Sequence, residues 1–310
     1  MDALTILTLT IGVGIGSVSF ASNSWILAVN MKDYCAGIRL NPCDRIMTFI
    51  GLTNLMMQTA LTSGSLFNAF DCHMMYIGEL HLLVVQCLIF LSRFNLWLTI
   101  WLSVYYCLKI VNFAHGVLFI LKTRISGLMP KLLIFSFVES LVITIPSYWS
   151  VTHDNSLGFL ENATCAWQDC YCTMSVEFGY WFFILFMSIV SLAFTLIPFG
   201  VTVHSLWKHT KKMMENEFSC IQIQAHVTAS RTISLLSLLF VTFYAALITV
   251  ILQSYNFKTP SGYSSVYFML FYPTFQAIVI ITGNSKLRKA GKLLKNQFGV
   301  CLRGDSHGGK

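Results

Sequence analysis

Arg93 and Glu139 have the strongest claim on chemistry in this chain, because each stands inside a long apolar run. Arg93 lies 14 residues beyond Glu79, which is ~21 Å along a helix rising ~1.5 Å per residue. Glu139 lies 9 residues beyond Pro130, at a comparable depth. In hydrocarbon, a charge so placed costs ~2.5–3.5 kcal/mol on insertion scales unless it faces the protein interior or a partner. Arg93 therefore either pairs with Glu139 or lines a ligand cavity, and the sequence leaves both readings open. Asn23 and Asn54 reach similar depths in the first two runs and join Arg93 and Glu139 as candidate intramembrane polar residues. No Ser/His/Asp set, no His-Glu-x-x-His motif and no pair of acid/base carboxylates falls at one depth, and the ten Cys lack metal-ligand spacing. The expected chemistry is sensing: no enzyme activity, no cofactor and no metal.

The elements that must position these residues are seven apolar stretches, at about 4–29, 44–68, 80–109, 128–149, 176–206, 226–252 and 263–283. Each reaches the ~20 residues a helix needs to cross a bilayer. All 20 Lys and Arg except Arg93 and Lys258 fall on one side of this pattern, with seven of them in the tail from Lys286 to Lys310. The positive-inside rule then gives an all-α, seven-helix bundle with its N-terminus outside. Residues 1–283 are expected to form one membrane domain and 284–310 a cytoplasmic tail. Charged residues are 11% of the chain, against ~25% in soluble domains. The net charge of +7 belongs to the inner rim, so it points to anionic lipid and a cytoplasmic partner and away from nucleic acid. The first 31 residues contain no Lys or Arg, so the first stretch is expected to be an uncleaved anchor rather than a signal peptide.

The outer loops carry further signals. Asn162-Ala163-Thr164 is an N-glycosylation sequon in the second outer loop, beside Cys165, Cys170 and Cys172. With Cys72 of the first outer loop, these leave a disulfide or free thiols as alternatives. Pro42 and Pro130 fall where helices two and four should begin, Pro260 falls in the third outer loop, and Pro146, Pro198 and Pro273 lie inside spans. Gly12 and Gly16 form a GxxxG pair suited to close packing within the bundle. After Gly283, Leu287, Ala290, Leu294 and Phe298 recur at helical spacing, while Arg288, Lys292 and Lys295 share another face. That pattern predicts a short amphipathic helix on the inner leaflet.

Span seven contains no Lys, which excludes a retinal Schiff base there. Aromatic residues crowd the outer halves of the last three spans: Phe178, Trp181, Phe182, Phe240, Tyr244, Tyr263 and Tyr267. Together with Val85, Leu88, Ile89, Ser92, Arg93, Val266 and Leu270, they are the candidate lining of a cavity for a small amphipathic agonist.

Helix three reads from Trp97 to Phe113 through Leu102-Ser103-Val104-Tyr105-Tyr106-Cys107-Leu108-Lys109. This run resembles the bitter taste receptors, the type 2 taste receptor family. The resemblance continues in Leu196-Ile197-Pro198-Phe199 with Ser205, Leu206 and His209, in His226, Ala229, Arg231 and Thr232, and in Ile280-Ile281 followed by Gly283-Asn284 and Lys286-Leu287. It implies a plasma-membrane receptor for bitter compounds that signals through a heterotrimeric G protein of the gustducin type to phospholipase C and calcium. It also implies that the inner ends of helices three, five and six touch the G protein, here through Tyr106, Lys109, His209, Lys212, His226 and Arg231. Homo- or hetero-oligomers stay open.

Some positions depart from the family's habit. Asn54 stands where many relatives have Arg, Ser92-Arg93 where an Asn-His pair is usual, Leu88 in place of a frequent Trp, and Gln276-Ala277 in place of His-Ser. The midplane cation has in effect changed helix. A vomeronasal type 1 receptor is the nearest alternative, and a small-solute transporter is a more distant one. An odd span count without an inverted repeat weighs against the transporter.

Overall fold

The computed structural model describes residues 3–69, 78–110, 117–153, 174–176, 220–252 and 260–304, and part of 182–204. Helices α1 (Ala3–Cys35), α2 (Pro42–Ala69), α3 (Gly78–Ile110) and α4 (Val117–Ser150) come first. The strands β1 (Val151–His153) and β2 (Met174–Val176) follow and pair antiparallel, Val151 opposite Val176. α5 is the partly described helix within 182–204. α6 (Cys220–Leu252), α7 (Pro260–Gly283) and α8 (Ser285–Gly304) complete the order. Among the described residues, α1, α3, α4 and α6 are long and apolar enough to cross a membrane, and α7 holds a shorter apolar stretch, Tyr267–Gly283.

Several boundaries differ from the sequence expectation. Val176 begins no helix but closes the short β ladder. α4 starts at Val117, so Pro130 lies inside it rather than in its first turn. A helical proline frees a single backbone carbonyl, and burial offsets that loss here. Ile125 and Met129, four residues apart on one face, sink into the same apolar cluster as Leu108 and Cys43. Pro260 is the first residue of α7 rather than part of a loop, a position where its missing N–H costs nothing. Pro42 opens α2 as expected, and Pro146 and Pro273 lie within α4 and α7.

α3 is the central helix. Every residue from Leu91 to Ile100 is buried, and the helix packs against α2, α4 and α6. Its side chains join two apolar clusters. One contains Ile26, Ile46, Met47, Ile50, Leu98, Leu102 and Ile280; the other contains Met57, Leu96, Ile100, Phe240, Phe243 and Tyr272. The outward faces of α4 and α5 stay apolar, with Ile134, Phe137, Val142, Phe186 and Ile197 exposed, which suits hydrocarbon and would be anomalous in water.

Glycines set the closest approaches. A Cβ on Gly16 would stand 3.3 Å from Thr62 Oγ1 of α2, and one on Gly12 would stand 3.6 Å from Leu270 of α7. The GxxxG pair thus packs α1 inside its own bundle. Gly283 is tighter, since a Cβ there would collide with Thr232 Oγ1 and lie 2.7 Å from its Cγ2. Gly37, at φ +76°, turns the chain out of α1.

The α7–α8 corner is pinned by charge. Asn284 Oδ1 accepts from the backbone N–H of Lys286 at 2.8 Å and of Leu287 at 3.3 Å, capping α8. Lys286 Nζ reaches Asp33 at 2.7 Å, Asp44 at 3.1 Å and Asn30 Oδ1 at 2.9 Å, so α8 is tied to α1 and α2. Burial works against the Lys286 ammonium, but the hydrogen bonds to Asp33 and Asp44 outweigh it and raise the pKa above the ordinary value. A raised folded-state pKa means the stabilisation is complete below the usual lysine range and is lost only as pH climbs through the shifted value. The clamp therefore holds at every physiological pH.

Gly283→Ala should destabilise the bundle by about 1–3 kcal/mol, the usual cost of overpacking. Thermal unfolding of detergent-solubilised protein should show the loss, and a Thr232→Ala background, which removes the colliding atoms, should largely erase it.

Candidate functional site

α3 places Arg93, Trp97 and Trp101 at intervals of four residues, one above another on the face toward α4. α4 meets them with Glu139 and Ser136. Arg93 Nη2 donates to Glu139 Oε1 at 2.5 Å, and Trp97 Nε1 donates to Glu139 Oε2 at 2.6 Å. One turn lower, Trp101 Nε1 donates to Ser136 Oγ at 2.7 Å. Both carboxylate oxygens are engaged, and the Arg93 and Glu139 side chains keep 8% and 15% of their surface. The Trp97 and Trp101 rings stack at 5.6 Å, and Phe194 of α5 lies 6.1 Å from Trp97. From α6, Tyr244 packs into the same buried cluster as Trp97. Phe240 and Phe243 flank Tyr244 at 4.6 and 5.9 Å. Three helices therefore meet at one buried ion pair.

The opposite face of α3 carries amides. Asn95 Nδ2 donates to Asn54 Oδ1 at 2.7 Å, and Asn54 Nδ2 donates to Asn23 Oδ1 at 3.0 Å. Gln276 Nε2 of α7 donates to Asn95 Oδ1 and Thr99 Oγ1, each at 2.8 Å, and Tyr272 O–H donates to Asn95 Oδ1 at 3.2 Å. Asn23 and Asn54 both reach the Pro273 carbonyl at 3.4 Å. The chain of amides joins α1, α2, α3 and α7 around the proline of α7, where neighbouring helices satisfy backbone groups near the break.

The expected cavity residues divide. Ser92 is buried and donates to Met57 Sδ at 3.7 Å. Phe240 and Tyr244 are buried beside Arg93 and Trp97, whereas Leu88, Ile89 and Tyr267 are partly buried. Leu270 is buried too, but it faces Gly12 of α1. Phe182 is 58% exposed and stands outside the packed interior. Val85, Tyr263 and Val266 lie on described helices with their side chains outside the described set, and Phe178, Trp181 and Asn162 lie outside the described residues. Of the expected G-protein contacts, Lys109 and Arg231 are exposed, while Tyr106 is partly buried and its hydroxyl accepts from Cys43 Sγ at 3.8 Å. His226 is on α6 with its side chain undescribed, and His209 and Lys212 lie outside the described residues.

Sequence reasoning on depth alone missed Trp97, Asn95, Thr99, Tyr272 and Gln276 as site residues. The signal was present in spacing: Arg93 to Trp97 and Asn95 to Thr99 are i,i+4 pairs, so two polar faces ran along one helix.

Residues 1–297 match the sequence profile of the taste receptor protein (TAS2R) family. The chain belongs to this family. A relative from Gallus gallus, taste receptor type 2 member 40, is 26% identical over 92% of this chain and 93% of its own length. Taste receptor type 2 member 143 of Rattus norvegicus is 31% identical over 66% of this chain and 70% of its own. Taste receptor type 2 member 2 of Homo sapiens is 26% identical over 91% of each chain. TAS2R proteins are membrane receptors and not enzymes, and the long apolar helices of this chain are those of a membrane protein.

Removing one member of a buried ion pair leaves a charge without its partner, at a cost of about 3–5 kcal/mol. Arg93→Leu and Glu139→Leu should each lower the melting temperature of this TAS2R protein sharply. The double variant should lose much less than the sum, and a double-mutant cycle on purified protein measures the difference.

Proposed function

We propose that the chain is a plasma-membrane G-protein-coupled receptor for small amphipathic bitter compounds. The TAS2R match over residues 1–297 carries this reading. Residues 1–283 form the membrane domain, with the N-terminus and the Asn162 sequon outside and the 284–310 tail in the cytosol. The agonist enters the outer half of the bundle and rests on the floor made by Arg93, Glu139, Trp97 and Tyr244. Phe240, Leu88, Ile89 and Ser92 supply apolar and weakly polar contacts, and Phe178, Trp181, Tyr263, Val266, Tyr267 and Val85 extend the lining outward. Phe182 and Leu270 are less apt, because one is exposed and the other faces α1.

A heterotrimeric G protein of the gustducin type docks at the inner ends of α3, α5 and α6. The exposed Lys109 and Arg231 face that side, with Tyr106, His209, Lys212 and His226 around them. α8 lies on the inner leaflet. Leu287 is buried in the bundle, Arg288, Lys289, Lys292 and Lys295 are exposed, and Leu293 and Leu294 present apolar surface at 65% and 40% exposure. Such a helix binds a membrane surface by apolar burial and attraction to anionic lipid. No observation in the fold favours a vomeronasal or a transport function.

Cells expressing the chain with a gustducin-type G protein should release calcium when exposed to a panel of bitter compounds, and should stay silent without the G protein. Lys109→Ala/Arg231→Ala should reduce the maximal response at matched surface expression by about an order of magnitude, because two cations that would meet an acidic surface of the G protein are lost. Solute flux independent of the G protein would sink the reading. Asn162→Gln should abolish a glycosidase-sensitive mass shift, which checks the orientation.

A further inference from the structure

The charge on Arg93 is already spent inside the protein. Glu139 meets it at 2.5 Å, and Trp97 at 2.6 Å holds the second carboxylate oxygen. The pair as a whole is neutral, yet it is not sealed, since Glu139 keeps 15% of its side-chain surface. We infer that Glu139 sets the ligand class: by neutralising Arg93 at the floor of the agonist cavity, it makes this receptor select uncharged amphipathic compounds and reject carboxylates. This rests on the proposed receptor function and names the chemistry of its agonist.

The physical argument is desolvation. A carboxylate ligand entering an apolar cavity loses its hydration and must find a compensating cation. At Arg93 it would find a guanidinium already neutralised, with a second carboxylate beside it, so repulsion cancels attraction. A neutral ligand pays no such cost. It can accept a hydrogen bond at the floor and place its apolar body against Phe240 and Tyr244, both buried on α6. A lone Arg at this depth would select the opposite class. The difference between the two outcomes is one carboxylate on α4. Glu139 is thus a specificity-determining residue acting through Arg93.

The test uses the full-length receptor co-expressed with a gustducin-type G protein, with calcium as the readout and surface expression matched by an N-terminal tag. The probes are aromatic carboxamides, each matched with the carboxylate of the same scaffold. Carboxamides should activate the unsubstituted receptor at least about tenfold more potently than their carboxylates. Glu139→Gln keeps the shape of the side chain and removes its charge, so it should move the potency ratio toward carboxylates by about tenfold or more. Arg93→Gln/Glu139→Gln removes both charges and should keep the preference for carboxamides. This double variant also guards against misfolding of the single one, because it leaves no lone buried charge. Equal potency of carboxylates and carboxamides on the unsubstituted receptor overturns this inference alone, as does an unchanged ratio in Glu139→Gln. Silence across the whole panel with the G protein present, together with solute flux that does not need it, overturns the receptor function and this inference together.

Discussion

The buried ion pair between α3 and α4 is the constraint around which the rest of the molecule is arranged. Hydrocarbon supplies no water to an ionised side chain, so Arg93 can be held at mid-depth only if an acid reaches it with good geometry. Glu139 does so, and the Trp97 indole satisfies the oxygen that the guanidinium leaves over. Meeting these demands fixes the rotation of α3 about its own axis. Once Arg93, Trp97 and Trp101 point to α4, Asn95 and Thr99 must point to α2 and α7, because residues two apart on a helix lie on nearly opposite faces. Leu96 and Ile100 are left for the apolar cluster shared with α6.

The amide chain on the other face is the second consequence. Pro273 has no N–H to offer the carbonyl of Met269, four residues back, while Asn23 and Asn54 reach the carbonyl of Pro273 itself and Asn95 and Gln276 tie the same region to α3. Neutral amides suffice here, since no charge has to be matched. The α7–α8 corner follows a different rule: Lys286, with 29% of its side-chain surface exposed, bridges Asp33 and Asp44. The paired charge and the amides thus lie at nearly the same level on opposite faces of α3, and the Lys286 clamp lies apart at the α7–α8 corner. Gly283 lets α7 come close enough to Thr232 for the corner above that clamp to form.

Much of this was written in the residue order. Long apolar runs and basic flanks indicated the helices, although Pro130 and Pro260 misplaced two of their boundaries, and the depths of Arg93, Glu139, Asn23 and Asn54 marked where polar contacts had to occur. The helix-three run from Trp97 to Phe113 and the ending at Gly283–Leu287 were enough to indicate the family, which the match over residues 1–297 shows. Less legible were the elements whose stability comes from distant partners. α4 continues back through Pro130 because Ile125 and Met129 find a cluster built by α2 and α3. Phe182 was grouped with the cavity by its aromatic character, yet it is exposed, because a single helical phase cannot be assigned where both faces are apolar. Leu270 met α1 for the same reason.

The sequence by itself determined the membrane-spanning character, the inventory of costly polar groups and the kinship, since hydropathy, charge asymmetry and local motifs are properties of short windows. Only the tertiary structure decided which polar group meets which. Arg93 and Glu139 are 46 residues apart, and Asn95 and Gln276 are 181 apart. No local rule fixes such pairings; they follow from the rotation and neighbour order of packed helices, where a partner that cannot be hydrated must be found within the bundle.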